Sequence, residues 1–401
     1  MKPEFNDTRE LFDYVRKYDL EKIKSLDKIF AGYEFSEIEI QELLGEIIKS
    51  DNFLILDARS EKEFEESAIP YSINFPVLTN TERKNVGIIF NKYSALAAGE
   101  LAVEFAEPKI EKLKKLLTDN NAGAKNIYIH CWRGGGRSKY LSKMVMDLGY
   151  KVKILKGGFK SYRRVVNEFF NQKEFPYELV ELNGLTGVGK TEIINSLKNN
   201  YPVIDLERSA RHFSSLFGFI PYKIRNYKPV ANQSAFENDI FSQVILNKKI
   251  FGNVSTFLIE SESKKVGDFY IPEILYEKLL KATCINIYIN IEDRINRIIN
   301  DYFGSDNIGI DEMLKILNEK ERVFKKELSK VKFEELKSDL EKGDVYEFTK
   351  SMIQNYYDKK YKDKGKIQLA TINNETLETA KEEIMEILKK LKNVHLTELC
   401  K

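Results

Sequence analysis

Two short stretches of this 401-residue chain gather the residue types that chemistry uses. The first is Ile127-Tyr-Ile-His130-Cys131-Trp132-Arg133-Gly134-Gly135-Gly136-Arg137-Ser138, an apolar run ending in a cysteine, then glycines, then a helix expected from Ser138. Glycines let successive backbone N–H groups turn toward one point, and a helix start adds its positive end, so this stretch should form an anion-binding nest. A thiol at the centre of such a nest, with Arg137 beside it, is drawn toward the thiolate. Arg133 and Arg137 can hold a tetrahedral oxyanion through paired N–H groups, as lysine cannot. The expected result is a nucleophile, Cys131, beside a phosphate-shaped seat lined by Trp132, Gly134, Gly135, Gly136 and Ser138.

The second stretch is Gly184-Leu185-Thr186-Gly187-Val188-Gly189-Lys190-Thr191, which fits the P-loop pattern of glycine, four residues, then Gly-Lys-Thr. Its N–H groups can cradle a di- or triphosphate, Lys190 can reach the outer oxygens, and the Thr191 hydroxyl is of the type that binds magnesium. A partner carboxylate is expected at a neighbouring strand end, where Asp205, Glu207, Glu260 and Glu262 compete for the role.

These loops need strands before them and helices after them, and the sequence supplies both. Phe53–Asp57, Ile127–His130 and Val152–Leu155 read as strands and Ser138–Leu148 as a helix, the alternation of a parallel α/β sheet. Gln172-Lys-Glu-Phe-Pro176-Tyr reads as a connection, since proline cannot continue a helix. Beyond it, Leu179–Leu182, Val203–Leu206, Thr256–Glu260 and Ile285–Ile289 read as strands and Thr191–Lys198 as a helix, with Lys366–Ala370 a late strand in a densely charged helical region. The expected organisation is an N-terminal helical extension over 1–33, a first α/β domain over 34–172, a P-loop domain over 173–300, and a mainly helical region over 301–401 that either stands apart or completes the P-loop domain.

Composition narrows the function classes. An apolar fraction of 42% with 31% charged residues, and no apolar stretch near bilayer length, exclude a membrane-spanning protein. The start has neither the apolar run nor the small-residue cleavage site of a secretion signal, so the cytoplasm is expected. Three cysteines, Cys131, Cys284 and Cys400, lack the spacing of a zinc site or a disulfide framework. A net charge of +2 does not announce a nucleic-acid binder. A local basic face is therefore needed, and Lys151, Lys153, Lys156, Lys160, Arg163 and Arg164 supply one close in sequence to the cysteine loop.

A cysteine followed by five residues and Arg137-Ser138 has the form shared by cysteine phosphatases and by rhodaneses with a lengthened loop, so the loop alone leaves phosphate hydrolysis and chalcogen transfer both open. The surrounding sequence resembles a rhodanese: Leu54-Ile-Leu-Asp57-Ala-Arg59-Ser-Glu-Lys-Glu63-Phe64, then Ala68-Ile-Pro70 to Asn74-Phe-Pro76, and downstream Leu155-Lys-Gly157-Gly158-Phe159. A rhodanese followed in one chain by a P-loop resembles the tRNA 2-selenouridine synthases. Ala95-Leu-Ala-Ala-Gly99, Ala210-Arg-His212, Glu260-Ser-Glu262-Ser263 and Tyr356-Tyr357-Asp358 look like family blocks in family order. Family members usually read His-Arg-Gly-Ser where this chain has His212-Phe213-Ser214-Ser215, and arginine where it has Lys264.

The resemblance implies a rhodanese-like parallel-sheet domain followed by a P-loop NTPase-like α/β domain. It also implies replacement of sulfur by selenium in wobble 2-thiouridine of tRNA, with selenophosphate as donor and an S-geranylated intermediate made from geranyl diphosphate. On that expectation Cys131 attacks selenium and becomes a selenylsulfide, while Arg133 and Arg137 hold the departing phosphate. The P-loop clamps the departing pyrophosphate, with or without Mg2+, and Phe213, Leu216, Phe217 and Phe219 are candidates for a wall along the geranyl tail. The expected partners are tRNA and an enzyme that supplies selenophosphate. The rivals are a cysteine phosphatase fused to a nucleotide-binding domain and a non-catalytic P-loop regulator.

Overall fold

The computed structural model describes residues 3–304, 308–361 and 365–399; Cys400 lies outside them. The chain forms two compact units, residues 1–169 and 170–401.

In the first unit five strands, β1 (Ser36–Ile38), β2 (Phe53–Asp57), β3 (Ser72–Asn74), β4 (Asn126–His130) and β5 (Val152–Leu155), form one sheet in the order β1-β5-β4-β2-β3. Every pair is parallel. All five residues of β2 are buried, as a central parallel strand covered on both faces requires. The chain leaves β2 toward β3 and leaves β4 toward β5, in opposite directions along the sheet. The crevice between the carboxyl ends of β2 and β4 is therefore the switch point at which open α/β sheets bind ligands. Asp57 and His130 face each other in register there, and Cys131 is the next residue. The N-terminal helix Thr8–Val15, capped by Asp7, sends Leu11 and Val15 into the same core as Leu54, Leu101 and Leu141.

The second unit repeats the logic with β6 (Glu178–Asn183), β7 (Val203–Ile204), β8 (Thr256–Glu260), a short hairpin of β9 (Lys265–Val266) and β10 (Phe269–Tyr270), then β11 (Thr283–Tyr288) and β12 (Gln368–Asn373). The main sheet runs β12-β11-β6-β8-β7, all parallel. The late strand expected at Lys366–Ala370 is β12, shifted a few residues onward and paired to β11 at the sheet edge. The helical stretch before it has its own core around Phe217, Phe324, Phe333 and Phe348.

Two expected boundaries are corrected by capping. The helix after the cysteine loop begins at Gly136, two residues before Ser138, because the Lys139 amide already donates to the Gly135 carbonyl at 3.0 Å. The strand expected over Val203–Leu206 stops at Ile204, because Asp205 turns to accept the Arg208 amide at 2.8 Å and caps the helix Leu206–Ala210.

Candidate functional site

The cysteine loop leaves β4 and closes against the turn that ends β5. The Phe159 amide donates to the Cys131 carbonyl at 2.8 Å, and the Lys160 amide to that of Trp132 at 3.0 Å. Gly158, at φ +59°, lies so close that a Cβ there would collide with the Cys131 carbonyl oxygen and sit 2.6 Å from the Gly134 nitrogen. The Gly157-Gly158-Phe159 motif is thus the backbone floor of the cysteine loop.

Cys131 is buried, and its Sγ lies 3.3 Å from the Ser138 hydroxyl, which is itself 2.9 Å from the Gly135 carbonyl. Because the helix starts at Gly136, the Ser138 amide falls in the first turn, where N–H groups have no intrahelical acceptor. Arg137 is held by Glu63, with Nη1–Oε2 at 2.6 Å, and Arg83 adds a contact to the same carboxylate at 3.3 Å. Burial of Glu63 works to raise its pKa, but the Arg137 hydrogen bond and charge outweigh it and hold the carboxyl below its usual range. Arg133 is exposed, and so is Trp132, whose ring packs 5.7 Å from that of Phe159.

Beneath the loop, the Asp57-x-Arg59 pair is folded on itself. Arg59 Nη2 lies 2.6 Å from Asp57 Oδ2, and its guanidinium stands 3.8 Å from the centre of the Phe159 ring. His130 is fully buried, 3.7 Å from Asp57 and 3.4 Å from the Ser72 hydroxyl. Burial lowers its pKa, with Asp57 opposing.

Of the expected basic residues, Lys151, Lys153, Lys160 and Arg164 are exposed, Arg163 is part-buried, and Lys156 is ion-paired with Glu39 at 2.6 Å.

The phosphate loop in the second unit follows β6 directly. Lys190 is part-buried and folds back on the loop, donating to the carbonyls of Gly184 at 2.8 Å and Leu185 at 3.1 Å. Burial lowers its pKa, against the pull of Glu207, Glu262 and Glu260. The four candidate acids converge here. Thr191 donates its hydroxyl to Glu207 at 2.7 Å, the Glu207 amide donates to Glu260 at 2.6 Å, and the Asp205 carboxyl lies near enough to both for its charge to raise their pKa values. Burial, reinforced by mutual repulsion, pushes Glu207 and Glu260 well above the usual carboxylate range. Glu260 Oε2 is buried without a hydrogen-bond partner.

Several residues that hold this loop are not evident from the sequence. Arg294 donates from Nε to the Thr186 carbonyl at 2.9 Å and grips Asp358 with both arms at 3.0 and 2.6 Å. Arg297 and Asn374 both donate to the Val188 carbonyl, at 2.9 and 2.8 Å. A Cβ on Gly189, at φ +89°, would sit 2.5 Å from the Asn374 amide nitrogen, which explains why this position is glycine. The three-residue spacing of Arg294 and Arg297 on the helix Ile291–Tyr302 was the available signal, since it puts both on one face.

Beside the loop, Thr186 opens into a narrow apolar pocket of about 30 Å3 formed with Phe217, Ile298, Tyr302, Met352 and Tyr357. Of the four aromatic or aliphatic residues expected along a tail, Phe217 lines the pocket; Phe213, Leu216 and Phe219 pack behind it in the same cluster.

Comparison with known proteins agrees with this architecture. The rhodanese-like domain family matches residues 40–164, and the tRNA 2-selenouridine synthase AAA domain family matches residues 177–394, more than half of the chain. The tRNA 2-selenouridine synthase of Nitrosomonas eutropha is 29% identical over 64% of this chain and 64% of its own length. That of Bdellovibrio bacteriovorus is 30% identical over 64% of this chain and 66% of its own, and that of Pseudomonas syringae pv. tomato 31% identical over 62% and 65%. The matches span a little under two thirds of these relatives. With both sheets parallel, both loops in place and the longer family match covering the phosphate loop and its acids, the chain belongs to the tRNA 2-selenouridine synthase family.

Proposed function

We propose that this chain replaces sulfur by selenium in wobble 2-thiouridine of tRNA, drawing on selenophosphate and passing through an S-geranylated base. The observation that carries the reading is the pairing, in one chain of this family, of a buried cysteine in a glycine loop with a phosphate loop that opens into an apolar pocket. Cys131 and its loop seat selenophosphate, a phosphate with one oxygen replaced by selenium. Arg133 is exposed at the loop, and Arg137, poised on Glu63, is the second guanidinium in reach.

The phosphate loop takes geranyl diphosphate. Lys190 and the loop amides hold the pyrophosphate as it leaves, and the tail enters at the apolar pocket against Phe217 and Ile298, which must widen to take it. Each buried methylene-sized group stabilises the complex by about 0.8 kcal/mol, so the tail decides between this ligand and a nucleotide, whose base would find few polar partners there.

The residues also fit a divalent cation. Thr191, Glu207 and the unpartnered Oε2 of Glu260 are oxygen donors of the type magnesium takes alongside phosphate oxygens, and their mutual repulsion is what a cation relieves. Among the described residues no group of three or more His, Cys, Asp or Glu forms a cage by itself, so the ion would depend on the diphosphate. Bound there, it would supply charge neutralisation for the leaving pyrophosphate.

Transfer RNA is the macromolecular partner, with Lys151, Lys153, Lys160 and Arg164 tracking its phosphates and Trp132 offering a face to an unstacked base. Among the described residues no helix is long and apolar enough to cross a membrane, and the proposed setting is the cytoplasm.

The test is mass spectrometry of wobble uridines from cells lacking this protein, with the wild-type or a Cys131→Ser copy restored. The reading expects 2-selenouridine only with the wild type. Selenouridine restored by the serine variant would overturn it.

A further inference from the structure

Selenium carried on Cys131 as a selenylsulfide does not balance. In selenophosphate the selenium is already fully reduced. If the thiolate attacked it, an S–Se bond would form, the Se–P bond would break, and its electron pair would leave with phosphorus as phosphite, a net oxidation of sulfur at the expense of phosphorus. Nothing in the proposed reaction supplies an oxidant that would turn this into phosphate.

We propose instead that Cys131 attacks phosphorus, so that the cysteine loop is a phosphoryl acceptor that unmasks selenium on the base; the inference rests on the selenouridine reading above. The selenium of selenophosphate first attacks C2 of the S-alkylated base. A C–Se bond forms, the C–S bond breaks, and the alkylthiolate leaves with its electron pair, giving a base that carries Se–phosphate. The Cys131 thiolate then attacks that phosphorus. An S–P bond forms, the Se–P bond breaks, and the electron pair stays on selenium, releasing selenouridine. Water finally attacks the phosphocysteine, the S–P bond breaks, and phosphate leaves with the thiolate regenerated. No atom changes oxidation level in either phosphoryl transfer.

The geometry suits phosphorus. A phosphoryl group in transit spreads charge over three oxygens and needs donors around it rather than a single contact. The loop supplies the unsatisfied amides at the start of the helix Gly136–Asp147, and Arg137 follows Cys131 by six positions on a carboxylate, Glu63, that it can exchange for phosphate oxygens. The Ser138 hydroxyl, 3.3 Å from Sγ, is placed to hydrogen-bond the sulfur as it departs in the last step. Trp132, exposed next to the buried nucleophile, gives the base a place to stack while its selenium is unmasked.

The experiment uses the full chain, S-geranylated 2-thiouridine RNA and selenophosphate labelled in separate runs with 32P and 75Se, followed by a denaturing quench. The proposal expects 32P but not 75Se on the wild-type chain, orthophosphate as the released product, and accumulation of an RNA base heavier by a phosphoryl group in C131S. In S138A the 32P-labelled chain should accumulate several-fold, which keeps the proposal testable should C131S fold poorly. Selenium-75 on Cys131, phosphite as product, or clearance of the phosphorylated base by C131S at the wild-type rate would each overturn it. If the wild type placed no 75Se in the RNA at all, the selenouridine reading itself would fall, a result distinct from these.

Discussion

The cysteine loop and the phosphate loop are built alike and held differently. Each leaves a central strand of a parallel sheet, turns through glycines and enters a helix. The first is braced by backbone, with Gly158 pressed against Cys131 and Gly134, and its nearest charges, Arg137 and Glu63, are balanced. The second is braced by side chains, Arg294, Arg297 and Asn374, and is surrounded by more buried acid than Lys190 can offset. The difference teaches that one loop is closed by backbone around its nucleophile, whereas the other keeps a cluster of buried acids whose charge its own residues do not offset.

The largest effect expected on this contrast comes from the brace of the phosphate loop. Asp358→Ala would strand the buried Arg294 guanidinium, and breaking a buried pair costs about 3–5 kcal/mol, reduced here to about 2 because Asp358 is 28% exposed. Denaturant unfolding should show the loss, with R294M partly restoring stability in the double variant; equal stability of wild type and single variant would remove this brace. In the other unit Gly158→Ala should cost about 1–3 kcal/mol through its backbone conformation and collision, and should abolish selenium insertion while leaving diphosphate binding intact.

The pH response sharpens the comparison. Glu207 and Glu260 are raised in the folded chain, so as pH climbs above the ordinary carboxylate range the unfolded chain sheds protons that the folded one keeps, and stability falls with rising pH. His130 is lowered, so as pH drops below 6.5 the unfolded chain gains a proton the folded one refuses, and stability falls with falling pH. Thermal melts of E260Q should weaken the first decline, leaving the part due to Glu207, and keep the second; an unchanged profile would mean that Glu260 carries no strain. Smallest is the effect of the basic face: K160E with R164E should weaken tRNA binding and reduce its salt dependence by about one unit of log–log slope per lost phosphate contact. Binding unchanged at every salt concentration would place tRNA elsewhere.

Both loops were legible in the sequence because strand, glycines and helix are contiguous, so local geometry is written in neighbouring residues. Cys131 and Ser138 belong to that class, and so do the acids, which follow strand ends; the Gly157-Gly158 turn was legible as a turn, but not as the floor of the cysteine loop, because it reaches that loop from the end of another strand. The braces were not legible, since Glu63 meets Arg137 across 74 positions, Arg294 meets Thr186 across 108 and Asn374 meets Val188 across 186. Such contacts depend on how sheets and helices pack, which periodicity alone does not reveal. The start of the helix at Gly136 was missed for a smaller reason: three glycines read as loop, although Gly135 serves as a helix cap.

The division of labour between the loops is tested most directly by supplying two RNAs, one with 2-thiouridine and one already S-geranylated, to the Lys190→Ala and Cys131→Ser variants. K190A should fail to geranylate the first yet convert the second to selenouridine, and C131S should geranylate the first yet form no selenouridine from the second. If either variant lost both steps, or if K190A geranylated at the wild-type rate, the two loops would not be the separate chemical sites described.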